Sequence, residues 1–407
     1  MKIGLFTDTY SPYISGVVTS VLLLKKALED MGHTVYVVTI NLDSKKYEYD
    51  ELEKVLRVPG IKTKVYDGVK LSGVYPIGAI SKVKKWNLDI IHSHTEFSIG
   101  TFARIVSKQF NIPIVHTYHT MYEDYVYLIN KGYFDKPVKK IVEYFTLFYC
   151  DKTVSELIVP TKKAYDLFKE KYKLDRNIHI VPTGNDIEKF DKNNFTKKQI
   201  FDLKKKVGIS HDDFALICIS RISREKNIDF LIDTHKLLVR KNKKIKLLII
   251  GDGPDFDRLK KKASRINNGK SIIFTGKVPW DDVPLYYQAG DVFVTASKTE
   301  TQGLTVNEAL CSSLPVVCID DDSFKLSIMD GFNGFFFKNK KEYQDKILTL
   351  MNDKKLYALL SKQAKNSSLK FSTKYFGENI LNIYKMAALN KRKNIIEKIK
   401  ELVVKEW

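Results

Sequence analysis

The chain has 407 residues, 44% of them hydrophobic and 12% aromatic, which is typical of a globular protein and excludes an intrinsically disordered one. Its formal net charge of +20 exceeds what solubility requires; nucleic acid or an anionic membrane surface could exploit it, and a general bias toward lysine on surface helices would give the same charge. Apolar runs are shorter than the roughly 18–20 residues that cross a bilayer, and the early Asp8 argues against a signal peptide. Four single cysteines without metal-ligand spacing indicate a reducing compartment.

Strand and helix patterns alternate through the first half of the chain. Buried strands are predicted at 3–6, 35–40, 89–94, 112–117, 157–160 and 179–182. Helices are predicted between them at 17–31, 100–109, 135–150 and 162–172. Such alternation predicts βαβ units and a parallel sheet that is covered on both faces.

The polar, lysine-rich stretch 187–213 interrupts this alternation and is the predicted linker between two domains, 1–186 and 214–385. Strands resume at 214–220, 245–250, 271–275, 291–295 and 315–319, with helices at 227–240, 255–266, 283–288 and after Gly303. The tail 379–407 is predicted to be helical, and its segment 386–407 is predicted to pack back on the first domain. The predicted fold is therefore α/β, with two doubly wound Rossmann-like domains whose strand ends face a cleft.

The segment 298–310 carries two carboxylates, Glu300 and Glu308, eight positions apart on either side of Gly303. It connects a predicted buried strand to a helix, and backbone N–H groups at a helix start can face an anion. The two acids would then lie on opposite sides of an anion site. An ordinary strand-to-helix turn with one capping and one solvated glutamate would give the same spacing, so the spacing alone leaves both interpretations open.

Two further segments have features of a phosphate site. Arg221 and Lys226 follow the first strand of the second half, where a guanidinium fork and an ammonium point charge can converge on a diphosphate. Gly16 opens the first helix and lets the backbone approach an anion. A solvated charge cluster and a tight turn are the competing interpretations. The chain has no P-loop or G-x-G-x-x-G fingerprint, which argues against an ATPase or a dehydrogenase.

Histidines are concentrated at the ends of two strands in the first half. His119 falls just beyond its strand, at the predicted edge of the cleft, where a group that titrates near neutrality is useful. His116 lies within that strand and is interpreted as a core histidine, and His92 and His94 occupy a comparable position at another strand end. The spacing of cysteines and histidines is not that of a zinc site, and the acidic run 320–322 has the pattern of a polar loop, so no metal site is predicted.

The motifs and their order along the chain resemble those of the retaining GT-B glycosyltransferases of family 4, and the resemblance covers almost the whole chain. It rests on Gly16, His119, Arg221 with Lys226, the segments 251–254 and 274–276, and the pair Glu300 and Glu308. The segments 15–20, 116–120, 182–184 and 299–303 are similar to those of bacterial diacylglycerol glucosyltransferases.

The resemblance implies that a hexose, with glucose as the first expectation, passes from a UDP-sugar to diacylglycerol with retention of the α configuration. It implies that the donor is bound by Gly16, Arg221, Lys226, Gly303, Leu304, Thr305 and Glu308. Glu300 would contact the transferred hexose, and His119 would lie beside its anomeric carbon. In the implied front-face route the leaving phosphate helps to deprotonate the acceptor, so neither a metal nor another cofactor is required.

A lipid acceptor implies a cytoplasmic protein that docks on the inner face of the cell membrane without crossing it. The candidate contacts to an anionic bilayer are Lys82, Lys84, Lys85, Trp86, Lys136, Lys139 and Lys140. Ordinary core packing with a solvated basic face would produce the same pattern. Nucleic acid is not the expected partner, because the chain has neither an aromatic RNA-binding strand motif nor an obvious recognition helix.

Two other functions stay open on the sequence. The first is a family 4 transferase that acts on a soluble sugar or on the head group of another glycolipid or phospholipid. The second is a basic nucleic-acid-binding protein with a non-catalytic sugar-nucleotide fold. The motifs also leave open which hexose and which nucleotide base the donor carries.

Overall fold

The structure is a computed structural model that describes residues 1–42, 44–62, 70–122, 135–266 and 269–405. For residues 62, 135–139 and 392–405 the structure describes the backbone but not the side chains. The chain divides into two compact units, the first made of Met1–Gly184 with Thr373–Trp407 and the second of Asn185–Ser372. None of the helices in the described part of the chain combines the length and the apolar character that crossing a bilayer requires.

The first unit is built on an eight-stranded sheet with the strand order β10-β9-β8-β7-β1-β2-β4-β3. Its strands are β1 (Lys2–Phe6), β2 (Thr34–Ile40), β3 (Glu48–Asp50), β4 (Val55–Val58), β5 (Ile61–Lys62), β6 (Lys70–Leu71), β7 (Ile90–Ser93), β8 (Ile114–Thr117), β9 (Glu156–Val159) and β10 (Ile178–Ile180). The pair β5 and β6 forms a separate two-stranded ribbon. Neighbours in the large sheet are parallel except β3 and β4.

The helices of the first unit follow the strands in alternation. They are α1 (Gly16–Asp30), α2 (Ile77–Trp86), α3 (Ser98–Gln109), α4 (Asp135–Leu147), α5 (Lys162–Asp166) and the C-terminal helix (Thr373–Lys405). The π turns Phe148–Lys152 and Leu167–Lys171 continue α4 and α5, where the sequence predicted uninterrupted helices.

The C-terminal helix shares a core with the central strands of the first unit. Ile380 and Tyr384 are fully buried in one apolar cluster with Ile3, Leu5 and Val37. Burial of these side chains on both faces of a parallel sheet explains why the strands are rich in branched aliphatic residues. The helix begins at Thr373, six residues before the predicted helical tail at 379 and thirteen before the predicted domain boundary at 386, so the structure assigns its first turns to the first unit.

The second unit contains a six-stranded parallel sheet with the order β13-β12-β11-β14-β15-β16. Its strands are β11 (Phe214–Ile219), β12 (Ile245–Ile250), β13 (Ile272–Phe274), β14 (Val292–Thr295), β15 (Val316–Ile319) and β16 (Gly334–Phe337). Its helices are α6 (Lys197–Val207), α7 (Ile228–Lys241), α8 (Phe256–Ala263), α9 (Val283–Gln288), α10 (Leu304–Cys311), α11 (Lys340–Asn352) and α12 (Lys354–Ser368). The strand order reverses between β11 and β14, which is where ligands bind in open sheets of this kind.

The stretch 187–213, predicted as a linker, belongs to the second unit and contains α6. Thr196 caps this helix reciprocally with Gln199, and Gly208 ends it with a φ of 80°. Leu203 is its one buried residue and joins the core of the second unit. A helix with a single buried position is dominated by polar residues, which explains why the sequence resembles a linker here.

Candidate functional site

The carboxyl ends of β11 and β14 lie side by side in the second unit. The loop after β11 carries Arg221, which is exposed, and ends in the 3-10 turn Arg224–Lys226. Lys226 Nζ lies 2.5 Å from Glu300 Oε1 on the loop after β14, and these side chains are only 19% and 20% exposed. The structure therefore brings together a cation and an acid that the sequence predicted separately, at the switch point of the sheet.

The helix α10 begins beside this ion pair. Gly303 precedes its first turn with a φ of 75°, and Leu304 and Thr305 follow with partly exposed side chains. A Cβ at Gly303 would lie 2.5 Å from a ring carbon of Phe324. Glycine is therefore required here by both the left-handed backbone and the approach of the ring, and it stands at a helix start, the kind of position where backbone N–H groups can bind an anion.

Replacement of Gly303 by alanine is expected to lower the free energy of unfolding by about 1–2 kcal/mol from the left-handed backbone alone, with a further loss from the contact with Phe324. The matched control is Gly208→Ala, because Gly208 has a similar φ of 80° but has nothing within 4 Å of the added Cβ. Urea unfolding of both variants measures the difference. Equal losses at the two positions would show that the contact with Phe324 adds nothing.

Glu308 lies in the second turn of α10 and is 3% exposed. Its Oε2 accepts a hydrogen bond of 2.7 Å from the hydroxyl of Tyr287, which is fully buried on α9. Burial raises the pKa of Glu308 to about 7, while this hydrogen bond acts in the opposite direction. The carboxyl group is therefore poised to change charge near neutral pH. The sequence analysis did not identify Tyr287, because a tyrosine 21 positions before Glu308 belongs to no recognisable motif with it.

Three histidines form a contact chain at the carboxyl edge of the first unit's sheet. His94 Nδ1 lies 3.1 Å from His119 Nε2, and the ring centroids of His92 and His94 are 4.0 Å apart. His92 is held by Tyr384 and Thr117, each 2.7 Å from one of its ring nitrogens. The sequence singled out His119, and the structure adds His94 as its direct neighbour.

Burial determines the charge of these imidazoles. It lowers the pKa of His119 to about 4 and the pKa of His94 and His92 well below the usual value. The rings are therefore neutral near pH 7, and in the contact between His94 and His119 one nitrogen donates and the other accepts. His94 Nε2 is buried, and among the described residues it has no hydrogen-bond partner.

A buried carboxyl group lies next to this chain. Glu96 accepts a hydrogen bond of 3.0 Å from His116 Nε2 and another from the hydroxyl of Tyr122, and burial raises its pKa to about 7. His116, which the sequence assigned to the core, is fully buried.

Glu96, His116 and Cys150 place their potential ligand atoms within 4.8 Å of one another, a cluster that the sequence missed because no short spacing joins the three residues. Burial raises the pKa of the Cys150 thiol well above its usual value, which opposes the thiolate that a metal needs. The cation of Arg104, which contributes to the electrostatics of both Glu96 and Cys150, would also repel a metal ion. The cluster fits a hydrogen-bonded network better than a metal site.

The loop between β1 and α1 carries the other predicted anion contact. Gly16 is exposed at the first turn of α1, and Ser15 caps this helix by accepting a hydrogen bond of 3.3 Å from the N–H of Val18. Asp8, which the sequence analysis did not single out as a site residue, is buried at the end of β1 and accepts hydrogen bonds from the Ser98 hydroxyl and the Ile99 N–H at 2.7 and 2.9 Å. Asp8 therefore joins the loops after β1 and β7.

The predicted membrane contacts separate into exposed and buried residues. Lys84 and Lys85 are exposed on α2, and Lys82 pairs with Glu51 at 3.1 Å. Trp86 is only 5% exposed, because it stacks on Tyr36 with ring centroids 4.5 Å apart. The interpretation of Trp86 as a surface anchor is therefore corrected: in this structure it is a core residue.

The remaining membrane candidates lie on α4. Lys140 is exposed, whereas the side chains of Lys136 and Lys139 lie outside the described residues.

Comparison with known proteins identifies the family. Residues 14–189 match the profile of "Glycosyltransferase Family 4", and residues 199–367 match that of "Glycosyl transferases group 1". The chain is 37% identical to the alpha-monoglucosyldiacylglycerol synthase of Acholeplasma laidlawii, covering 94% of this chain and 96% of the relative. It is 35% identical to the synthase of the same name from Streptococcus pneumoniae, covering 86% of this chain and 78% of that relative.

Solved structures support the same fold. The Anabaena protein HepE, solved in complex with UDP-glucose, superposes with a TM-score of 0.73 over 95% of this chain and 100% of that chain, at 18% identity. The predicted pair of Rossmann-like domains is confirmed, as is the predicted family. The chain belongs to the GT-B glycosyltransferases of family 4.

Proposed function

We propose that this enzyme transfers glucose from UDP-glucose to diacylglycerol at the surface of an anionic membrane and forms an α-glucosyl-diacylglycerol. The observation that carries the donor half of the proposal is the contact between Lys226 and Glu300 beside the start of α10 in the second unit. The acceptor half rests on the two relatives that are named as alpha-monoglucosyldiacylglycerol synthases. The UDP-glucose complex of HepE supports the choice of donor.

The second unit has the residue types that a nucleotide diphosphate requires. The N–H groups at the start of α10, which follow Gly303, would face the phosphates, and Arg221 and Lys226 would supply positive charge. As the bond between the anomeric carbon and the phosphate oxygen breaks, negative charge develops on the departing UDP. Fixed cations and N–H dipoles at that position stabilise the transition state more than the ground state.

The two acids of the 298–310 segment would have separate roles. Glu308, on the helix, would accept hydrogen bonds from the ribose hydroxyls, and Glu300, on the loop, would contact the hydroxyls of the transferred glucose. Lys226 would orient Glu300, since Lys226 Nζ and Glu300 Oε1 lie 2.5 Å apart.

In the first unit, we propose that His119 lies beside the anomeric carbon as a neutral group and that Gly16 leaves room for the phosphates. Retention would follow from a front-face route. The acceptor hydroxyl bonds to the anomeric carbon on the side that UDP leaves, and its proton passes to the departing phosphate oxygen. Such a route uses no metal and no further cofactor, and it leaves the protein unmodified.

We propose that the enzyme acts as a peripheral membrane protein on the inner face of the cell membrane. Diacylglycerol is a bilayer lipid, so an enzyme that uses it must reach the interface. The exposed lysines of α2 and α4, Lys84, Lys85 and Lys140, would contribute attraction to anionic lipids of about 1 kcal/mol each.

The test is a product analysis with the intact protein, vesicles that contain diacylglycerol, and a panel of labelled nucleotide sugars. We expect glucosyl-diacylglycerol from UDP-glucose alone, with the α configuration in its proton NMR spectrum. Transfer to a soluble sugar, or to a phospholipid or glycolipid head group, without transfer to diacylglycerol would reject the proposed acceptor. Tight, salt-sensitive nucleic-acid binding with no transfer would reject the enzyme function altogether.

A further inference from the structure

The outer face of α4 carries a row of large apolar side chains. Ile141, Tyr144 and Phe148 are 68%, 76% and 45% exposed, and their spacing of three and four places them on one side of the helix and its π turn. Single exposed apolar residues are ordinary, but a contiguous row on one helix face marks an interaction surface. We call these three residues the apolar stripe.

Two consecutive residues of the same helix pack into the first unit: Phe145, which flanks the apolar stripe, and Thr146, on the side away from it. The ring of Phe145 lies 6.2 Å from that of Phe97 and 4.8 Å from that of Tyr149, and Thr146 is fully buried. The helix is therefore oriented by the buried Thr146 and by the packing of Phe145 at the flank of the stripe, and the apolar stripe stays exposed as a consequence of that packing.

The apolar stripe continues toward the carboxyl edge of the sheet. Phe97 is 40% exposed, contacts Phe145, and lies 6.0 Å from the ring of Tyr122. The hydroxyl of Tyr122 donates to Glu96, which lies at the edge where His116 is also found. Phe145, Phe97 and Tyr122 thus form a series of aromatic contacts that leads from α4 to the sheet edge where Glu96 lies.

The charges around the apolar stripe indicate which kind of partner binds this surface. Lys140 is exposed beside the apolar stripe, and the side chain of Lys152 at the end of the π turn is 78% exposed and pairs with Asp151 at 3.3 Å. Apolar and aromatic residues flanked by lysines, on a chain with a net charge of +20, match the interface of an anionic bilayer. A second copy of so basic a chain would be repelled at the same place.

We propose that the apolar stripe inserts into the interfacial region of an anionic bilayer and is the face by which the first unit docks on the membrane. This inference deepens the proposed function and rests on its assignment of a bilayer lipid as the acceptor. It differs from the sequence prediction, because it assigns insertion to the exposed side chains of α4 and not to Trp86.

The double variant Ile141→Ser with Tyr144→Ser tests the inference by co-sedimentation with vesicles of phosphatidylglycerol and phosphatidylcholine, without any sugar donor. We expect the partition coefficient to fall at least about tenfold, because two exposed side chains lose their insertion into lipid. The matched control is Leu359→Ser with Leu369→Ser, which removes side chains that are 53% and 61% exposed on the second unit. The control should bind vesicles as the wild type does.

Thermal melting and UDP affinity should be unchanged in both double variants, which would show that the fold and the second unit are intact. Wild-type vesicle binding by the α4 variant would overturn the inference. A change of its oligomeric state with unchanged vesicle binding would also overturn it, in favour of self-association. Because vesicle binding is measured without donor, failure of the proposed transfer reaction in the wild type would be recognised separately.

Discussion

Replacement of Lys226 by alanine is expected to lower kcat for glucose transfer by about 10²–10³-fold, the usual effect of removing one preorganised group that stabilises developing negative charge. Lys226 is held 2.5 Å from Glu300, and its side chain is only 19% exposed, so its position is set before the donor arrives. Steady-state kinetics with UDP-glucose and diacylglycerol vesicles measure the effect. We expect Arg221→Ala to lower kcat as well, but by a smaller factor, because Arg221 is exposed.

The control for this prediction is Lys261→Ala, which removes an exposed lysine of α8 in the same unit and should leave kcat unchanged. Lys226→Arg retains the charge but not the shape, and it should recover only part of the activity. A Lys226→Ala enzyme with wild-type kcat and KM would falsify the assignment of the phosphate site.

A double-mutant cycle separates the two functions of Lys226. If the lysine served only to hold Glu300, then Glu300→Gln and Lys226→Ala would have equal effects and the double variant would be no worse than either. If it also stabilises the leaving diphosphate, Lys226→Ala should cost more than Glu300→Gln. The double variant should then lose nearly the same activity as Lys226→Ala alone, since residues that act as a unit are not additive.

The contact between Lys226 and Glu300 was predictable because both residues come from short loops at strand ends. In a parallel sheet these loops share one edge, so Lys226 and Glu300 could be assigned to the same site from 74 positions apart. Gly303 was predictable for a similar reason, although the sequence explained only its position at the helix start. The ring of Phe324, which makes a side chain at 303 impossible without movement, has no signature in the sequence.

Other features depended on contacts that no local pattern encodes. A tryptophan at position 86 of α2 would fit a membrane-facing helix as well as a core helix, and only the packing of Trp86 on Tyr36 decides between them. The partner of His119 was also hidden, because His94 belongs to a neighbouring strand end and the contact requires the observed pairing of β7 with β8. Periodicity predicts which face is apolar but not what covers it.

Affinity for UDP-glucose is expected to rise about tenfold between pH 6 and pH 8, because burial places the pKa of Glu308 at about 7 in the free enzyme. Below this pKa the carboxyl group is mostly protonated, and it must lose its proton before it can accept hydrogen bonds from both ribose hydroxyls. Donor binding should therefore release a proton, and the gain in affinity should level off above the pKa. UDP-glucose suits the measurement, since its diphosphate diester does not titrate in this range.

Glu308→Gln should lower UDP-glucose affinity at pH 8 by about 10–100-fold, as expected for losing hydrogen bonds to a charged group, and should abolish the dependence on pH. The matched control is Asp291→Asn, because burial also raises the pKa of Asp291, but this acid precedes β14 at the opposite edge of the sheet. Calorimetry in buffers of different ionisation enthalpy counts the released protons. Proton release that persists in Glu308→Gln, or disappears in Asp291→Asn, would assign the titration to another group and remove Glu308 from the ribose site.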